Sequence, residues 1–277
     1  MSIGVIVIGY NRPKKLRALL ESLEKYSEWF QEILVCLDYH SEEMQHWHER
    51  ELHRFLINNE KYTFRFHLMN QGLKDNLFTA TNYLKYSHEF LMFLEDDLVI
   101  RPNFNLYVES ALDKLAKNEV TSVSLYSYPD VFSIRNSDFT MVGADCWGFI
   151  ITGAKWYEFI MYTDYKRLSW LKKVRFNFYG TYDFYSLYLG ALGGKNWAAL
   201  FYYWAFVHGE RVLYPKESLV ENTGLDGSGT NCISSNSFTS GALYYISIPN
   251  TWSNILGYLS FIIFFVYEKI NRRYQAL

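Results

Sequence analysis

Apolar and polar positions alternate in blocks along the first third of the chain. Ile3-Gly4-Val5-Ile6-Val7-Ile8-Gly9 is a continuous apolar run that stops at Tyr10-Asn11-Arg12-Pro13. Leu16, Leu19, Leu20 and Leu23 follow at helical spacing, with Pro13 suited to a first helical turn. Ile33 to Leu37 predicts a second buried strand ending at Asp38, and residues 41–60 predict a polar helix. Tyr62 to Leu68 predicts a third strand. Asn70-Gln71-Gly72-Leu73 then turns into a helix carrying Leu77, Ala80, Thr81 and Leu84. Phe90 to Leu94 predicts a fourth strand, running directly into Glu95-Asp96-Asp97.

Strands that are apolar throughout, separated by helices, predict an α/β fold with a mostly parallel sheet and helices on both faces. Ligands of such open sheets bind beyond the carboxyl ends of the strands. Arg12, Asp38, the Asn70–Leu73 turn and Glu95–Asp97 all fall at such ends. Beyond Pro102 the pattern loosens. Phe104 to Leu115 predicts a helix and Val120 to Tyr126 a strand, followed by short strands and glycine-rich turns.

Composition narrows the function classes. A net charge of −2 excludes a nucleic-acid partner recognised through bulk electrostatics. The aromatic share of 19% suits sugar rings, but it suits an ordinary core equally well. Cys36, Cys146 and Cys232 are odd in number and lack metal-ligand spacing, which points to a reducing compartment, and hence a cytoplasmic location. Residues 252–267 are largely apolar and lead into Arg272 and Arg273, yet the run is too short to span a bilayer as a helix. Peripheral membrane contact through residues 252–273 is one reading. Packing of a C-terminal helix on the domain, or on a second copy in a homodimer, is the other.

Three adjacent carboxylates at a cleft edge repel one another unless a cation intervenes. A hard divalent ion, Mg2+ or Mn2+, suits oxygen ligands, and phosphate oxygens complete its shell. Arg12 is a fixed-charge donor suited to a diphosphate.

Val5–Pro13, the Asn70–Asn82 turn-helix and Phe93–Phe104 together resemble GT-A (Rossmann-like) glycosyltransferases. The local pattern is most similar to the N-acetylglucosaminyltransferase I group, and bacterial sugar transferases of polysaccharide loci share it. The resemblance implies a GT-A catalytic domain over residues 1–250. Residues 1–115 would form the nucleotide-sugar half and 116–250 the acceptor half, followed by a C-terminal apolar and basic helix over 251–277. It implies that Arg12 and Asp38 contact the nucleotide, Asp38 at a uracil, that Glu95 and Asp96 face sugar and ribose, and that Asp97 ligates the metal. Tyr10, Gly72 and Lys74 join the nucleotide-sugar contacts at the same strand ends. Trp147 and Gly148 fall in a loop that lies near the donor sugar in the family.

The remaining chemistry is a base that takes the proton of an acceptor hydroxyl. Asp183, a carboxylate among aromatics in Gly180–Tyr185, is the candidate, because desolvation strengthens it as a base. Asp138, Asp145 and Asp164 are rivals, and Asp183 also suits a helix cap. Residues 215–231 alternate glycine with Asp and Ser, a composition that exposes backbone N–H groups to an anion, with Gly227 and Ser228 as candidate donors.

The function expected is an inverting, metal-dependent glycosyltransferase. It would move a sugar from a nucleoside-diphosphate sugar, UDP-linked, to a hydroxyl of a glycan or lipid-linked saccharide. The competing class is a non-catalytic carbohydrate-binding or scaffold protein of a membrane polysaccharide assembly. A sugar-nucleotide pyrophosphorylase ranks lower, because its phosphate loop would be glycine-rich where this chain has only Gly9.

Overall fold

The structure is a computed structural model and describes residues 2–58, 60–128, 137–172, 176, 191–194, 196–226, 259 and 263. The chain divides into two compact units.

The first unit comprises residues 1–119, 147–161 and 220–224. Its strands are β1 (Ile3–Gly9), β2 (Phe30–Leu37), β3 (Tyr62–Phe66), β4 (Phe90–Glu95), β5 (Leu98–Ile100), β8 (Phe149–Thr152) and β10 (Val220–Asn222). Its helices are α1 (Pro13–Glu24), α2 (Glu42–Asn58), α3 (Leu73–Ala80), α4 (Phe104–Ala116) and α5 (Gly153–Ile160). The sheet runs β3-β2-β1-β4-β8, with parallel pairing up to β4 and β8 antiparallel to it. Every residue of β1 is buried. Successive side chains of a strand point to opposite faces, so both faces are covered, as the continuous apolar runs require.

Each helix is set by local chemistry. Pro13 opens α1, where its missing N–H costs nothing, and Leu16, Leu19, Leu20 and Leu23 are its buried face. The α5 face packs Trp156, fully buried, against Phe93 at 4.1 Å and Phe159 at 5.3 Å between ring centres. At the amino end of the strands, buried Glu32 accepts hydrogen bonds from the Lys85 and Tyr86 amides and lies 3.1 Å from His88 Nε2. That edge is satisfied internally, and it is opposite the candidate site.

Three predicted elements are shorter than their sequence patterns, the first being β3, which ends at Phe66 rather than Leu68. α3 stops at Ala80 and a 3-10 turn, Thr81–Tyr83, completes the segment. β6 holds only Ser122–Ser124, because Ser124 Oγ donates to the Tyr126 carbonyl and the Leu125 carbonyl accepts from Leu219. β5 has no strong strand pattern of its own and exists through antiparallel pairing with β10.

The second unit comprises residues 120–146, 162–219 and 225–277. It holds β6, β7 (Phe139–Val142), β9 (Arg211–Tyr214) and α6 (Trp197–His208). β9 pairs parallel to β6 and antiparallel to β7. α6 is apolar on all sides and buried at Ala199 to Ala205. Asn196 caps it by accepting from the Ala199 amide at 3.2 Å, and Gly209 ends it at φ +70°, the left-handed region that glycine tolerates. No helix among the described residues is long and apolar enough to cross a membrane. The predicted C-terminal helix lies outside the described residues except at positions 259 and 263.

Candidate functional site

The carboxyl ends of β1, β2 and β4 bring Arg12, Asp38 and the acidic triplet to one edge of the first unit's sheet. Arg12 follows β1 and spans two of the three carboxylates. Its Nη2 donates to Asp96 Oδ1 at 2.5 Å and its Nη1 to Asp97 Oδ2 at 2.7 Å. Asp96 and Asp97 are 2% and 6% exposed, so this is a nearly buried fork. The Tyr10 amide adds a bond to Asp96 Oδ2 at 3.2 Å.

Burial raises Asp96 from 3.8 to about 6, against the lowering influence of Arg12. Glu95 is raised from 4.5 to about 8, first by burial and then by Asp97 and Asp96. At Glu95 and Asp96 desolvation outweighs the single guanidinium.

Asp97 is held from a second direction. Its carbonyl accepts from the Thr223 amide at 2.8 Å and from Thr223 Oγ1 at 2.7 Å, while Lys15 Nζ donates to the Thr223 carbonyl at 2.7 Å. Gly224 then passes so close that a Cβ there would overlap Asp97 Oδ2 and stand 3.1 Å from Arg12 Nη1. Only a glycine allows that approach. Lys15, Thr223 and Gly224 were not singled out in the sequence. The signal for the last two is that they open the glycine-rich loop, and nothing in local pattern marks Lys15.

Asp38 serves the turn before α3. Its Oδ1 accepts from the Tyr39 amide at 3.0 Å and the Gln71 amide at 2.7 Å, and its Oδ2 from the Gly72 amide at 2.8 Å. Gly72 sits at φ +78°, which frees its amide to point back at that carboxylate. Lys74, the second residue of α3, lies 3.8 Å from Asp75. Beside Asp38 a small pocket is lined by Tyr39, Ser41, Met44, Gln45, His48 and His67. His48 Nε2 donates to the Tyr10 carbonyl at 3.1 Å, and its buried Nδ1 has no hydrogen-bond partner. Burial lowers the His48 pKa, so the ring is neutral and Nδ1 is an acceptor. His48 was read in the sequence only as part of a polar helix.

Trp147 is half-buried and Gly148 buried, with Gly148 at φ +81°. The pairing of Phe149 with Phe93 brings these two residues alongside the last residues of β4, next to Glu95. Nine predicted residues therefore share the edge: Tyr10, Arg12, Asp38, Gly72, Glu95, Asp96, Asp97, Trp147 and Gly148, with Lys74 on the adjoining helix.

Asp183, Gly227 and Ser228 lie outside the described residues. Of the rival bases, Asp145 is buried and accepts from Tyr214 Oη at 2.8 Å, Asp138 accepts from the Lys216 amide, and Asp164 pairs with Lys166.

Arg12 supplies one positive charge to two of the three carboxylates, Asp96 and Asp97. No group of three or more His, Cys, Asp or Glu side chains is gathered for a metal among the described residues. The donor chemistry still fits ligation through a single carboxylate. Asp97 turns Oδ2 to Arg12, leaving Oδ1 as a hard oxygen ligand, with substrate oxygens to complete a shell.

No protein-family model matches the chain, and no curated protein matches it in sequence. Solved structures do. S. aureus TarS 1-349 superposes with a TM-score of 0.50 at 15% identity, covering 82% of this chain and 62% of that one. GalNAc-T7, solved with UDP, GalNAc and Mn2+, superposes with a TM-score of 0.53 at 13% identity, covering 79% of this chain and 42% of that one. This chain thus spans less than two thirds of either neighbour's length. With its mostly parallel sheet, its helices and its polar residues at the carboxyl edge, the chain has the α/β fold of GT-A glycosyltransferases.

Proposed function

We propose that the protein is an inverting glycosyltransferase that moves a sugar from a UDP-sugar to a hydroxyl of a glycan or lipid-linked saccharide. The observation that carries this reading is the convergence of Arg12, Asp96 and Asp97 with Asp38 and Gly72 at the carboxyl edge of a GT-A sheet. The neighbour GalNAc-T7 binds UDP and Mn2+, which supports a nucleotide-sugar donor. The finer likeness to the N-acetylglucosaminyltransferase I group rests on the sequence motifs alone.

Asp38 and Gly72 border the nucleoside, with Tyr10 beside them. Arg12 holds Asp96 and Asp97 in place and directs positive charge toward the diphosphate. Glu95, Trp147 and Gly148 border the donor sugar. Asp97 Oδ1 would hold Mn2+ or Mg2+, which when bound would neutralise charge on the leaving diphosphate. Lys74, Gly227 and Ser228 add donors to the nucleotide-sugar. Asp183 takes the proton of the acceptor hydroxyl as its oxygen bonds to the anomeric carbon and the bond to the diphosphate breaks on the opposite side. The expected location is cytoplasmic.

Calorimetry with UDP, with and without Mn2+, tests the donor half. Mn2+-enhanced UDP affinity is expected, and its absence would sink the enzyme in favour of a carbohydrate-binding or scaffold protein. A nucleotide-sugar panel, scored by hydrolysis, then identifies the donor. Asp183→Asn should leave UDP affinity intact while turnover collapses; retained turnover would move the base elsewhere.

A further inference from the structure

Residues 162–172 of the second unit combine a buried anchor with an exposed tip. Leu168 is 8% exposed and packs with Phe176, Tyr202 and Tyr203, while Tyr203 Oη donates to the Lys166 carbonyl at 2.5 Å. These two contacts fix the backbone on α6. Immediately beyond the anchor, Trp170 is 73% exposed and Leu171 is 67% exposed. These two adjacent large apolar side chains form an exposed tip at the start of a helical turn, a surface that a partner would cover.

The charge beside them indicates what does. Lys166, Arg167 and Lys172 are exposed. Asp164 is the single carboxylate between residues 162 and 175, and it pairs with Lys166 at 2.8 Å. In a chain of net charge −2, this is a local excess of cations around an aromatic-aliphatic pair. An aromatic and an aliphatic tip suit the boundary between headgroups and acyl chains, and the cations suit anionic headgroups. A nucleic acid would use the cations and Trp170 but would leave Leu171 in water.

We infer that the Lys166–Lys172 segment docks the protein on an anionic lipid surface. This goes beyond sugar transfer, because it needs neither donor nor metal, and it concerns a different stretch of sequence from residues 252–273.

Co-sedimentation of the full chain with phosphatidylcholine vesicles, with and without phosphatidylglycerol, tests it. Binding should require phosphatidylglycerol and weaken as salt rises. Trp170→Ala/Leu171→Ala should lower vesicle affinity about tenfold or more. Lys166→Glu/Arg167→Glu/Lys172→Glu should abolish the dependence on anionic lipid. All five side chains are exposed, so thermal unfolding should be unchanged. Brominated acyl chains should quench fluorescence in the wild type and less in Trp170→Phe, a variant that keeps the apolar tip. Equal binding to both vesicle types overturns the inference. So does wild-type binding by Trp170→Ala/Leu171→Ala, or retention on nucleic acid or an acidic protein without vesicle binding.

Discussion

Arg12→Met keeps an apolar stem at position 12 and removes the guanidinium that spans Asp96 and Asp97. Breaking a buried ion pair by removing one partner costs about 3–5 kcal/mol, because the other charge stays buried. The Arg12 side chain is 18% exposed, which puts the expected loss near the lower end. At about 2–4 °C per kcal/mol for a chain of this size, Tm should fall by roughly 6–12 °C. The pH dependence is the sharper test. Asp96 has a folded-state pKa of about 6, raised by burial from 3.8. A carboxyl raised on folding binds its proton more tightly in the folded state. Its contribution is therefore fully present below the ordinary range and is lost as pH rises through about 6. Arg12 opposes that rise, so removing it moves the window upward and enlarges the loss at high pH. Glu95, raised to about 8 and lowered by Arg12, adds with the same sign. Urea unfolding in EDTA at pH 5 and pH 8 should show a smaller destabilisation at the lower pH, where the pair with Asp97 is still lost, and the full one at the higher. An equal loss at both, or a larger loss at pH 5, would refute the reasoning.

Gly224→Ala places a Cβ that overlaps Asp97 Oδ2 and lies 2.8 Å from Asp97 Cγ, so the carboxylate must swing off Arg12. Calorimetry should show UDP affinity in Mn2+ falling about tenfold, with stability lowered by about 1–3 kcal/mol; unchanged UDP affinity would remove Gly224 from the site. Asp38→Ala leaves the Tyr39 and Gln71 amides without their acceptor, at about 1–3 kcal/mol, while the Gly72 amide keeps Asn70 Oδ1 at 3.0 Å. Hydrogen exchange should accelerate at Tyr39 and Gln71 more than at Gly72, and protection equal to wild type would count against this account of the turn.

The parallel half was legible because each element is set by local pattern. The apolar runs at 3–9, 33–37 and 90–94 could be satisfied only as strands covered on both faces, and the polar stops after them marked one edge. Where pattern and structure part, a longer-range contact decides. The Val120–Tyr126 pattern yields only β6, Ser122–Ser124, because the Leu125 and Tyr126 carbonyls are taken by Leu219 and by Ser124 Oγ. Asp38 reads in the sequence as a polar stop after a strand, and only the structure shows both of its oxygens accepting from backbone amides of the turn before α3. His48 looks like one polar residue of an exposed helix until its burial over the Tyr10 carbonyl is seen.

By itself, the sequence determined the alternation of strands and helices, and with it the placing of Arg12, Asp38 and Glu95–Asp97 at strand ends. Period and apolar run length are local properties, and a parallel sheet follows from them directly. Only the tertiary structure decided how Asp96 and Asp97 of the acidic triplet are paired and enclosed. The fork from Arg12 crosses 84 and 85 positions to Asp96 and Asp97, and the Thr223 bond to Asp97 crosses 126. No local pattern encodes which cation reaches a buried carboxylate or what encloses it, because the pairing of β1 with β4 sets the first and the pairing of β10 with β5, leading to Thr223 and a glycine small enough to pass, sets the second.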